Sequence, residues 1–478
     1  MTRSIEAALG EAPSIRAART ALEEETERAW IVGGAIRDAL LGEAVADADL
    51  AVVPGREEAS ARAIARVAGG STFPISEEHA TWRVIASTEG WHLDVAALRE
   101  EPIEADLRAR DFTVNAIALP LAGGDPIDPS GGLPDCEARR LRAVSERTFS
   151  DDPIRLLRAA RLAARHSLSV DPATLDLARS EAERAAEPAG ERQFAELRGI
   201  VTGPRPLRGL QLMEELGVTP VVLPELEALR GVVQNPNHHL DVLGHTLAVL
   251  EEWLGVETDV PGFSSELASE LEAFLGEPLA DELTRAQALR FGALFHDLGK
   301  PETRSEGDGY VTFIGHDEAG ARLIAGVCRR LKTSRRLGSH LEGLALHHLR
   351  LGFLIHRRPL SRRTVYDYLT ATEPVAADVT LLSVADRLAA RGEGPLASPE
   401  MVEAHLDLAR EMLRDALAWH RDGPPRPPVS GDELRAELDL APGPEMGRVL
   451  EELRAAAFAG EISDRDQALE LARRLGSR

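Results

Sequence analysis

The chain has 478 residues, with 79 acidic residues against 55 lysines and arginines, so its formal net charge is −24. At roughly 150 residues per domain, this length predicts about three domains. The acidity argues against nucleic-acid binding through bulk positive charge, although a local basic groove stays compatible with it.

Several features of the composition point to a globular protein of a reducing compartment. The apolar content of 44% is too high for a disordered chain. No apolar run is long enough to span a membrane, and the first 20 residues lack the apolar segment of a signal peptide. The only two cysteines, Cys136 and Cys328, make no disulfide framework. We therefore expect a cytoplasmic protein with no membrane partner.

Strand-like segments are confined to the first quarter of the chain. The apolar runs that predict strands are 29–32, 49–53, 82–86 and 92–96. A helix is predicted over 35–41, and the last two strands flank a turn at Glu89-Gly90. From about Asp151 onward, helical periodicity dominates and is broken only by Gly and Pro. The predicted fold class is α+β, with a small N-terminal α/β head followed by all-helical segments.

An acidic pair begins the second predicted strand. Asp47 and Asp49 are two residues apart, so their side chains point to the same face of the strand. Two carboxylates so placed can hold Mg²⁺, and Asp94 in a later strand offers a third. Upstream, Gly33-Gly34 ends a strand and begins a helix, where backbone can approach a phosphate closely. This combination predicts a magnesium-dependent nucleotide site.

Four blocks of this sequence resemble the class II tRNA nucleotidyltransferase and poly(A) polymerase family. They are 32–42 with 47–50, then 110–118, 152–161 and 191–192, and they follow the order of the family. The resemblance implies a polymerase β-like nucleotidyltransferase head, a helical neck and body, and tRNA, CTP and ATP as partners.

The resemblance also implies roles for particular residues. Asp47 and Asp49 would bind the catalytic Mg²⁺, with Asp94 as a third catalytic carboxylate. The implied nucleotide-binding residues are Gly33, Gly34, Arg37 and Asp38 at the triphosphate, Arg110, Asp111 and Asn115 near the ribose, and Asp152, Arg155, Arg158 and Arg161 on the neck. Asp152 and Arg155 would act as a protein template, because a carboxylate and a guanidinium together can select a base edge. Arg158 and Arg161 share a helical face with Arg155 and would contact phosphate.

A second cluster is rich in histidine. Nine of the 14 histidines lie between His238 and His356. The adjacent His296-Asp297 at the end of an apolar helix resembles the HD phosphohydrolase superfamily. The ligand set that this resemblance implies is His245, His296, Asp297 and Asp386, with His316 and His347 as additional ligands of a dinuclear site and His348 as an alternative to His347.

Such a mixed imidazole and carboxylate site suits Mn, Ni, Co, Fe or Mg, and a metal held there activates water for attack on a phosphate ester. An HD domain after a nucleotidyltransferase head occurs in one branch of the family, where it is associated with phosphatase and 2′,3′-cyclic phosphodiesterase activity. Seams rich in proline and glycine then predict four segments, which are a head over 1–125, a neck and body over 126–235, an HD domain over 236–395 and a helical tail over 396–478.

The sequence leaves three functions open. The first is template-independent addition of C and A to the 3′ end of tRNA. Only 16 residues separate Asp94 from Asp111, where many family members carry a longer flexible loop linked to the change from C to A addition, so the second is CC addition alone or poly(A) synthesis. The third, from another class, is chiefly an HD metal phosphohydrolase with an RNA-binding head.

Overall fold

The computed structural model describes residues 5–6, 9–10, 12–23, 26–45, 48–76, 80–88, 90–307, 310–438 and 440–476. The chain divides into two compact units, Met1–Val222 and Leu223–Arg478. Within the described ranges, no helix combines the length and the apolar character that crossing a membrane requires. The four segments predicted from the sequence stay a prediction, because the division into two units does not test their boundaries.

A six-stranded sheet forms the base of the first unit. Its strands are β1 Ala29–Val32, β2 Ala48–Val52, β3 Ser71–Ser76, β4 Thr81–Ile85, β5 His92–Ala97 and β6 Ala118–Pro120. The strand order is β3-β4-β5-β2-β1-β6. Strands β2 and β5 are parallel, and the other neighbours are antiparallel. The sheet confirms the α+β class, and it contains two strands, β3 and β6, that the sequence analysis did not predict.

Helices cover one face of this sheet. On the other face, the short helix that carries Ile103 and Leu107 packs at the β1 and β2 end, where these residues join Val32 and Ala51 in one core cluster. The helices within the sheet region are α1 Pro13–Ala21, α2 Gly34–Leu41, α3 Glu57–Val67 and α4 Ile103–Arg108. Val84, Leu93 and Val95 are fully buried, and the Arg62 guanidinium of α3 lies 6.0 Å from the Trp82 ring centroid. Because side chains alternate along a strand, the residues between these positions face the opposite side. We call that side the open face.

The rest of the first unit is helical. These helices are α5 Gly132–Glu137, α6 Thr148–Asp151, α7 Arg155–His166, α8 Pro172–Ser180, α9 Gly190–Val201, α10 Pro206–Glu215 and α11 Thr219–Val222, with the short parallel strands β7 Arg140–Leu141 and β8 Ser169–Val170. In α7, Leu156, Leu157 and Ala160 are buried, while the arginines lie on the other side of the helix. The helix therefore packs on one side and offers a basic face on the other.

The second unit is almost entirely helical. Its helices are α12 Pro224–Glu227, α13 Val242–Thr258, α14 Val260–Phe263, α15 Ala268–Leu275, α16 Arg285–Phe295, α17 Lys300–Thr303, α18 His316–Leu331, α19 Arg335–His347, α20 Arg350–Leu354, α21 Arg362–Thr372, α22 Ala376–Ala389, α23 Pro399–Asp422, α24 Gly431–Leu438, α25 Pro444–Phe458 and α26 Arg465–Gly476. Two short hairpins interrupt them, formed by β9 Pro278–Ala280 with β10 Leu283–Thr284 and by β11 Ser305–Gly307 with β12 Tyr310–Thr312. Helices α13, α16, α19 and α22 pack together around a core that includes Trp253.

One buried carboxylate fastens the segment that follows the sheet. Asp135 on α5 is fully buried and accepts hydrogen bonds from Arg140 Nε at 2.7 Å, Arg142 Nε at 2.8 Å and Thr113 Oγ1 at 2.6 Å. Its three partners lie on both sides of it in sequence. A buried charge is stable only when it is paired and hydrogen-bonded, and this one is.

We predict that Asp135→Ala lowers the free energy of unfolding of the first unit by about 1–3 kcal/mol, because a buried hydroxyl and two half-exposed guanidinium groups lose their shared acceptor. Urea unfolding followed by tryptophan fluorescence measures the change. The matched control is Asp176→Ala, whose carboxylate is 80% exposed and 3.9 Å from Arg179. It should change stability by less than about 0.5 kcal/mol, and equal effects of the two substitutions would contradict the assignment.

Candidate functional site

A cavity of about 430 Å³ opens on the first unit, where the open face of the sheet meets α2 and α7. Eleven residues that the sequence analysis assigned to the nucleotide site line it: Gly33, Gly34, Arg37, Asp49, Asp94, Arg110, Asp111, Asn115, Arg155, Arg158 and Arg161. Residues that were not assigned also line it, among them Arg99, Asp106, Arg165 and His166. The cavity therefore brings together blocks of sequence that are up to 130 residues apart.

Two carboxylates lie side by side at the sheet wall of this cavity. In the parallel pair of β2 and β5, Asp49 is the register partner of Asp94. Asp94 accepts two hydrogen bonds from Arg83, each 2.8 Å long, from Nε to Oδ1 and from Nη2 to Oδ2. Adjacent carboxylate oxygens are the ligands that Mg²⁺ prefers, so the donor set fits that ion. Asp47, the other member of the acidic pair, lies outside the described residues.

The glycine pair begins α2 beside these carboxylates. Gly33 has a φ of 71°, and a Cβ atom there would lie 3.1 Å from Arg110 Nη1 and 3.7 Å from Asp49 Oδ2. The backbone conformation therefore favours glycine, and a side chain at this position would displace the Arg110 guanidinium. The positive end of the α2 dipole faces the same region, which is favourable for a phosphate.

A chain of polar contacts links α2 to the neck helix α7. Arg37 Nη1 donates to Asn115 Oδ1 at 2.6 Å, Asn115 Nδ2 donates to Asp111 Oδ1 at 3.1 Å, and Arg158 Nη1 donates to Asp111 Oδ2 at 3.2 Å. Burial opposes ionisation of Asp111, but Arg158 and the hydrogen bonds from Asn115 and Phe112 N hold its pKa below the ordinary value. Asp111 is therefore an ionised centre that orients the side chains around it.

Glu196 is a buried residue that the sequence analysis missed. It accepts hydrogen bonds from Arg158 Nε at 3.0 Å and from Arg161 Nε, and it is 6% exposed. The sequence carried one signal for it, which is an acidic residue on α9 that can pair with Arg158 and Arg161 of α7. Because Glu196 holds two of the arginines that line the cavity, it fixes their direction and offsets part of their charge.

The two residues implied as a base template do not contact each other. Arg155 is 6% exposed and donates to the backbone oxygens of Ala109, Arg110 and Thr148 at 3.0–3.4 Å. Asp152 instead pairs with Arg192 at 2.8 Å. Arg155 lines the cavity, whereas Asp152 is outside the set of lining residues among those described. Their joint base-reading role stays a prediction.

His166 lines the cavity, whereas Asp38 is outside the set of lining residues among those described and lies behind it, 4.0 Å from His166 Nδ1. Arg37 Nε donates to Asp38 Oδ1 at 2.8 Å, so Asp38 orients the arginine that reaches Asn115. His166 Nδ1 lies 2.8 Å from Glu43 Oε2. Burial, with a contribution from Arg37, lowers the pKa of His166 to about 4, so its ring is neutral near pH 7.

The second unit contains a buried cluster of imidazoles and carboxylates. Two groups of three residues each have ligand atoms within 4.8 Å of one another: His245, His296 and Asp386 in the first, and Asp297, His316 and His348 in the second. His296 and Asp297 are adjacent and join the groups, since His296 Nε2 lies 3.2 Å from Asp297 Oδ2. His245 Nε2 lies 2.9 Å from Asp386 Oδ1. This arrangement fits one or two divalent ions.

Backbone carbonyl groups orient three of these rings. Nδ1 of His296, His316 and His348 lies 2.9, 2.6 and 2.6 Å from the carbonyl oxygen three residues earlier. In the neutral form of each ring, an Nδ1–H donor leaves Nε2 as the lone pair that faces the cluster. His316 Nε2 and His348 Nε2 are 3.2 Å apart, so two neutral rings would repel each other there, and a shared proton or a metal ion relieves that repulsion. His296 Nε2 and Asp297 Oδ1 are buried without a hydrogen-bond partner among the described residues.

The electrostatics of the cluster suit a cation as well. Burial disfavours ionised Asp297, yet His296, Lys300 and His316 hold its pKa well below the ordinary value. The hydrogen bond from His245 does the same for the pKa of Asp386 against the effect of burial. Burial lowers the pKa of His348 to about 4, so this ring is neutral and available as a ligand near pH 7. Lys300 Nζ is 2.6 Å from Asp297 Oδ2.

Of the two alternatives that the sequence left open, the structure places His348 and not His347 among the clustered ligand atoms. His347 is half-buried, and its Nδ1 accepts a hydrogen bond from Arg350 Nε at 2.9 Å. His348 is 2% exposed and lies beside His316. The two positions differ by about 100° around the helix, so only one of them can point into the core.

His238 is a neighbour of the cluster to which the sequence analysis gave no role. Its ring centroid is 4.4 Å from that of His245, in an edge-on arrangement. Burial lowers the pKa of His238 to about 3. Gln234 in the same segment accepts a hydrogen bond from Lys300 Nζ at 2.7 Å. The segment before α13 therefore packs against the cluster.

We predict that His348→Ala weakens binding of Mn²⁺ by at least about tenfold, because it removes a ligand atom from the buried set. Isothermal titration calorimetry on the metal-free protein measures the affinity. His347→Ala is the matched control and should bind within about twofold of the unchanged protein. The reverse result would restore His347 as the ligand.

Comparisons with known proteins place three families along this chain. The "Poly A polymerase head domain" matches residues 29–142, the "Probable RNA and SrmB-binding site of polymerase A" matches residues 167–229, and the "HD domain" matches residues 266–391. The head match covers the sheet and the glycine pair, and the HD match covers every residue of the histidine cluster except His245.

Whole-chain relatives agree with these matches. The A-adding tRNA nucleotidyltransferase of Deinococcus radiodurans is 36% identical over 455 residues, which cover 92% of this chain and 94% of the relative. The CC-adding tRNA nucleotidyltransferase of Thermus thermophilus is 33% identical over 447 residues, which cover 92% of each. The CCA-adding enzyme of Thermotoga maritima, solved with tRNA, has the same fold at 20% identity, with a TM-score of 0.60 and 98% of each chain covered.

With these relatives spanning nearly its full length, the chain belongs to the tRNA nucleotidyltransferase and poly(A) polymerase family, in a form that carries an HD domain.

Proposed function

We propose that the first unit adds nucleotides to the 3′ end of tRNA, from CTP and ATP and without a nucleic-acid template. The observation that carries the proposal is the register of Asp49 against Asp94, next to the glycine pair at the start of α2. The relatives named above support the same activity. CTP, ATP and tRNA are the partners that this function requires.

The side chains around the cavity divide the work of nucleotidyl transfer. The start of α2, with Arg37 and Arg110, binds the triphosphate through backbone donors and positive charge. Asp49 and Asp94, together with Asp47, would hold Mg²⁺. When bound, Mg²⁺ lowers the pKa of the attacking hydroxyl and neutralises the leaving pyrophosphate. The terminal 3′-hydroxyl of tRNA attacks the α-phosphate, a new P–O bond forms, and the bond to pyrophosphate breaks.

The base is held on the neck side of the cavity. Arg158 and Arg161 are fixed by Glu196, and Arg155 is fixed by three carbonyl oxygens, so none of them needs to be ordered when the nucleotide binds. Preorganised donors lose less conformational entropy on binding than mobile ones. We assign base selection to this arginine face, with Asp152 as the acceptor that the family resemblance implies.

A second candidate function is addition of C alone, and the segment between Asp94 and Asp111 favours it. Here the chain forms the short helix α4. Asp106 on this helix is 2% exposed and accepts hydrogen bonds from Arg99 N at 3.0 Å and Arg110 Nε at 3.2 Å. The segment is therefore short and fastened at both ends, unlike the long flexible loop linked to A addition.

We further propose that the HD cluster hydrolyses phosphate esters. The three Nε2 lone pairs and the two carboxylates with lowered pKa values support a dinuclear site for Mn, Ni, Co, Fe or Mg. A metal there supplies an activated water for attack on phosphorus. Lys300 lies beside Asp297, where its ammonium group can hold a phosphate oxygen.

Reciprocal substitutions test the two activities together. We predict that Asp49→Asn lowers incorporation of labelled CTP into tRNA lacking its CCA end by roughly 10²- to 10³-fold, because a charge that stabilises the transition state is lost. Hydrolysis of 2′,3′-cyclic AMP and p-nitrophenyl phosphate with Mn²⁺, Ni²⁺ or Co²⁺ should be unchanged.

Asp297→Asn is the matched control, and it should abolish hydrolysis while incorporation stays within about twofold. Incorporation that survives Asp49→Asn would remove the polymerising function. Hydrolysis that survives Asp297→Asn would remove the HD proposal.

Supplying one nucleotide at a time separates C addition from full CCA addition. If the fastened α4 segment limits the enzyme to C, we expect two C residues to be added from CTP, and no A to be added from ATP to a tRNA ending in CC. Gel analysis of the extended tRNA at single-nucleotide resolution measures this. Addition of A to the same tRNA, together with addition of two C residues from CTP, would establish the first candidate and show that a long loop is unnecessary. Addition of A without addition of C would contradict both candidates.

A further inference from the structure

The open face of the sheet carries a continuous row of side chains that ends at an exposed aromatic residue. Asp49 on β2 pairs in register with Asp94 on β5, Asp94 with Arg83 on β4, and Arg83 with Phe73 on β3. Residues that pair directly across strands lie on the same face. Ile85 lies on this face too, because it follows Arg83 by two residues.

The β3 end of this row is apolar and exposed to solvent. Phe73 is 42% exposed and Ile85 is 40% exposed. We call these two residues the edge platform. The neighbouring positions Trp82 and Val84 point the other way, toward α3, so the platform is separate from the core beneath the sheet.

The expected direction of the reaction places tRNA on the β5 side of Asp49. The glycine pair follows β1, which lies on one side of β2, whereas β5, β4 and β3 lie on the other side. In nucleotidyl transfer the attacking and leaving oxygens are roughly in line across the phosphorus atom. Since the triphosphate lies at the β1 side, the attacking hydroxyl arrives from the side of β5 and the edge platform.

Distance and charge fit the end of an RNA strand. Phe73 is two strands from Asp94, or about 10 Å at the usual strand spacing, which is on the scale of one nucleotide. Arg83 lies between them, and its pair with Asp94 offsets one of the two carboxylate charges of the row. An exposed aromatic ring beside an arginine is the usual platform for a single-stranded base, because every base has a stacking face.

The edge strand itself is unsuited to pairing with another protein strand. Pro74 lies within β3, and the register shifts between Pro74 and Ser76. Proline lacks a donor, and a bulge distorts the edge, so both features block strand addition. The apolar side chains are then explained by a partner that lies on the face rather than along the edge.

We propose that the edge platform stacks the 3′-terminal base of the tRNA acceptor end while its hydroxyl lies over Asp49 and Asp94. The inference rests on the proposed function of the first unit and adds to it a positioning surface for tRNA. Phe73 supplies the ring, Ile85 extends the apolar contact, and Arg83 faces the backbone of the same nucleotide.

The experiment compares Phe73→Ala, Phe73→Trp and Val67→Ala in the full chain. Val67 is the matched control, because it is 48% exposed and belongs to α3 on the covered side of the sheet. Phe73→Ala should raise the KM for tRNA, and the Kd for tRNA measured without Mg²⁺, by roughly 5- to 100-fold. The KM for CTP should stay within about twofold. Phe73→Trp should restore tRNA binding, and Val67→Ala should leave it unchanged.

The decisive experiment uses a tRNA with an abasic 3′-terminal nucleotide. It should bind more weakly than normal tRNA to the unchanged protein but equally well to Phe73→Ala, because the base and the ring are two halves of one contact. A Phe73→Ala protein within twofold of the unchanged one, or an abasic penalty that persists in it, would overturn the inference and leave the proposed function intact. An unchanged protein that binds tRNA but incorporates neither CTP nor ATP would overturn both.

Discussion

The nucleotide site depends on the register between two parallel strands. β2 and β5 come from parts of the chain about 45 residues apart, yet their pairing sets Asp49 directly beside Asp94. The register is fixed from below, because Leu50 and Val95 pair with each other and are buried against the helices. A slip of one residue would bury the carboxylates and expose these apolar side chains, which makes the alternative very unfavourable. The apolar face of the sheet thus determines the geometry of its acidic face.

Around this pair, charges of opposite sign lie next to each other. Arg83 pairs with Asp94, Arg37 with Asp38, and Arg158 with both Asp111 and Glu196. Such pairing lets an acidic protein keep a dense group of arginines at a cavity without strong repulsion among them. It also keeps the long side chains in defined directions before any nucleotide binds. The local basic groove that the overall charge of −24 left possible is therefore built from compensated arginines.

In the histidine cluster of the second unit, side chains are also oriented before a ligand binds, here by hydrogen bonds to the backbone. Backbone carbonyl oxygens three residues earlier accept a hydrogen bond from Nδ1–H of His296, His316 and His348 when these rings are neutral, so each Nε2 is presented as a ligand. This arrangement needs no second side chain, because the acceptor belongs to the backbone. His316 Nε2 and His348 Nε2 are 3.2 Å apart, and a cation between or beside them removes the repulsion of two facing lone pairs.

The sequence by itself determined the division into an α/β head and a helical remainder, and it predicted the chemistry proposed for both sites. Glycine pairs, adjacent carboxylates and a His-Asp dipeptide are local signals whose meaning follows from neighbouring residues. Strand β3 was not predicted because Pro74 interrupts it. Strand β6 was not predicted because its three residues are too few to show the alternation of a strand. Tertiary structure alone decided between His347 and His348, since the choice depends on which way a helix is turned. It also brought Glu196 to the arginines of α7 and set Phe73 beside Arg83. It separated Asp152 from Arg155, because each of them has another partner.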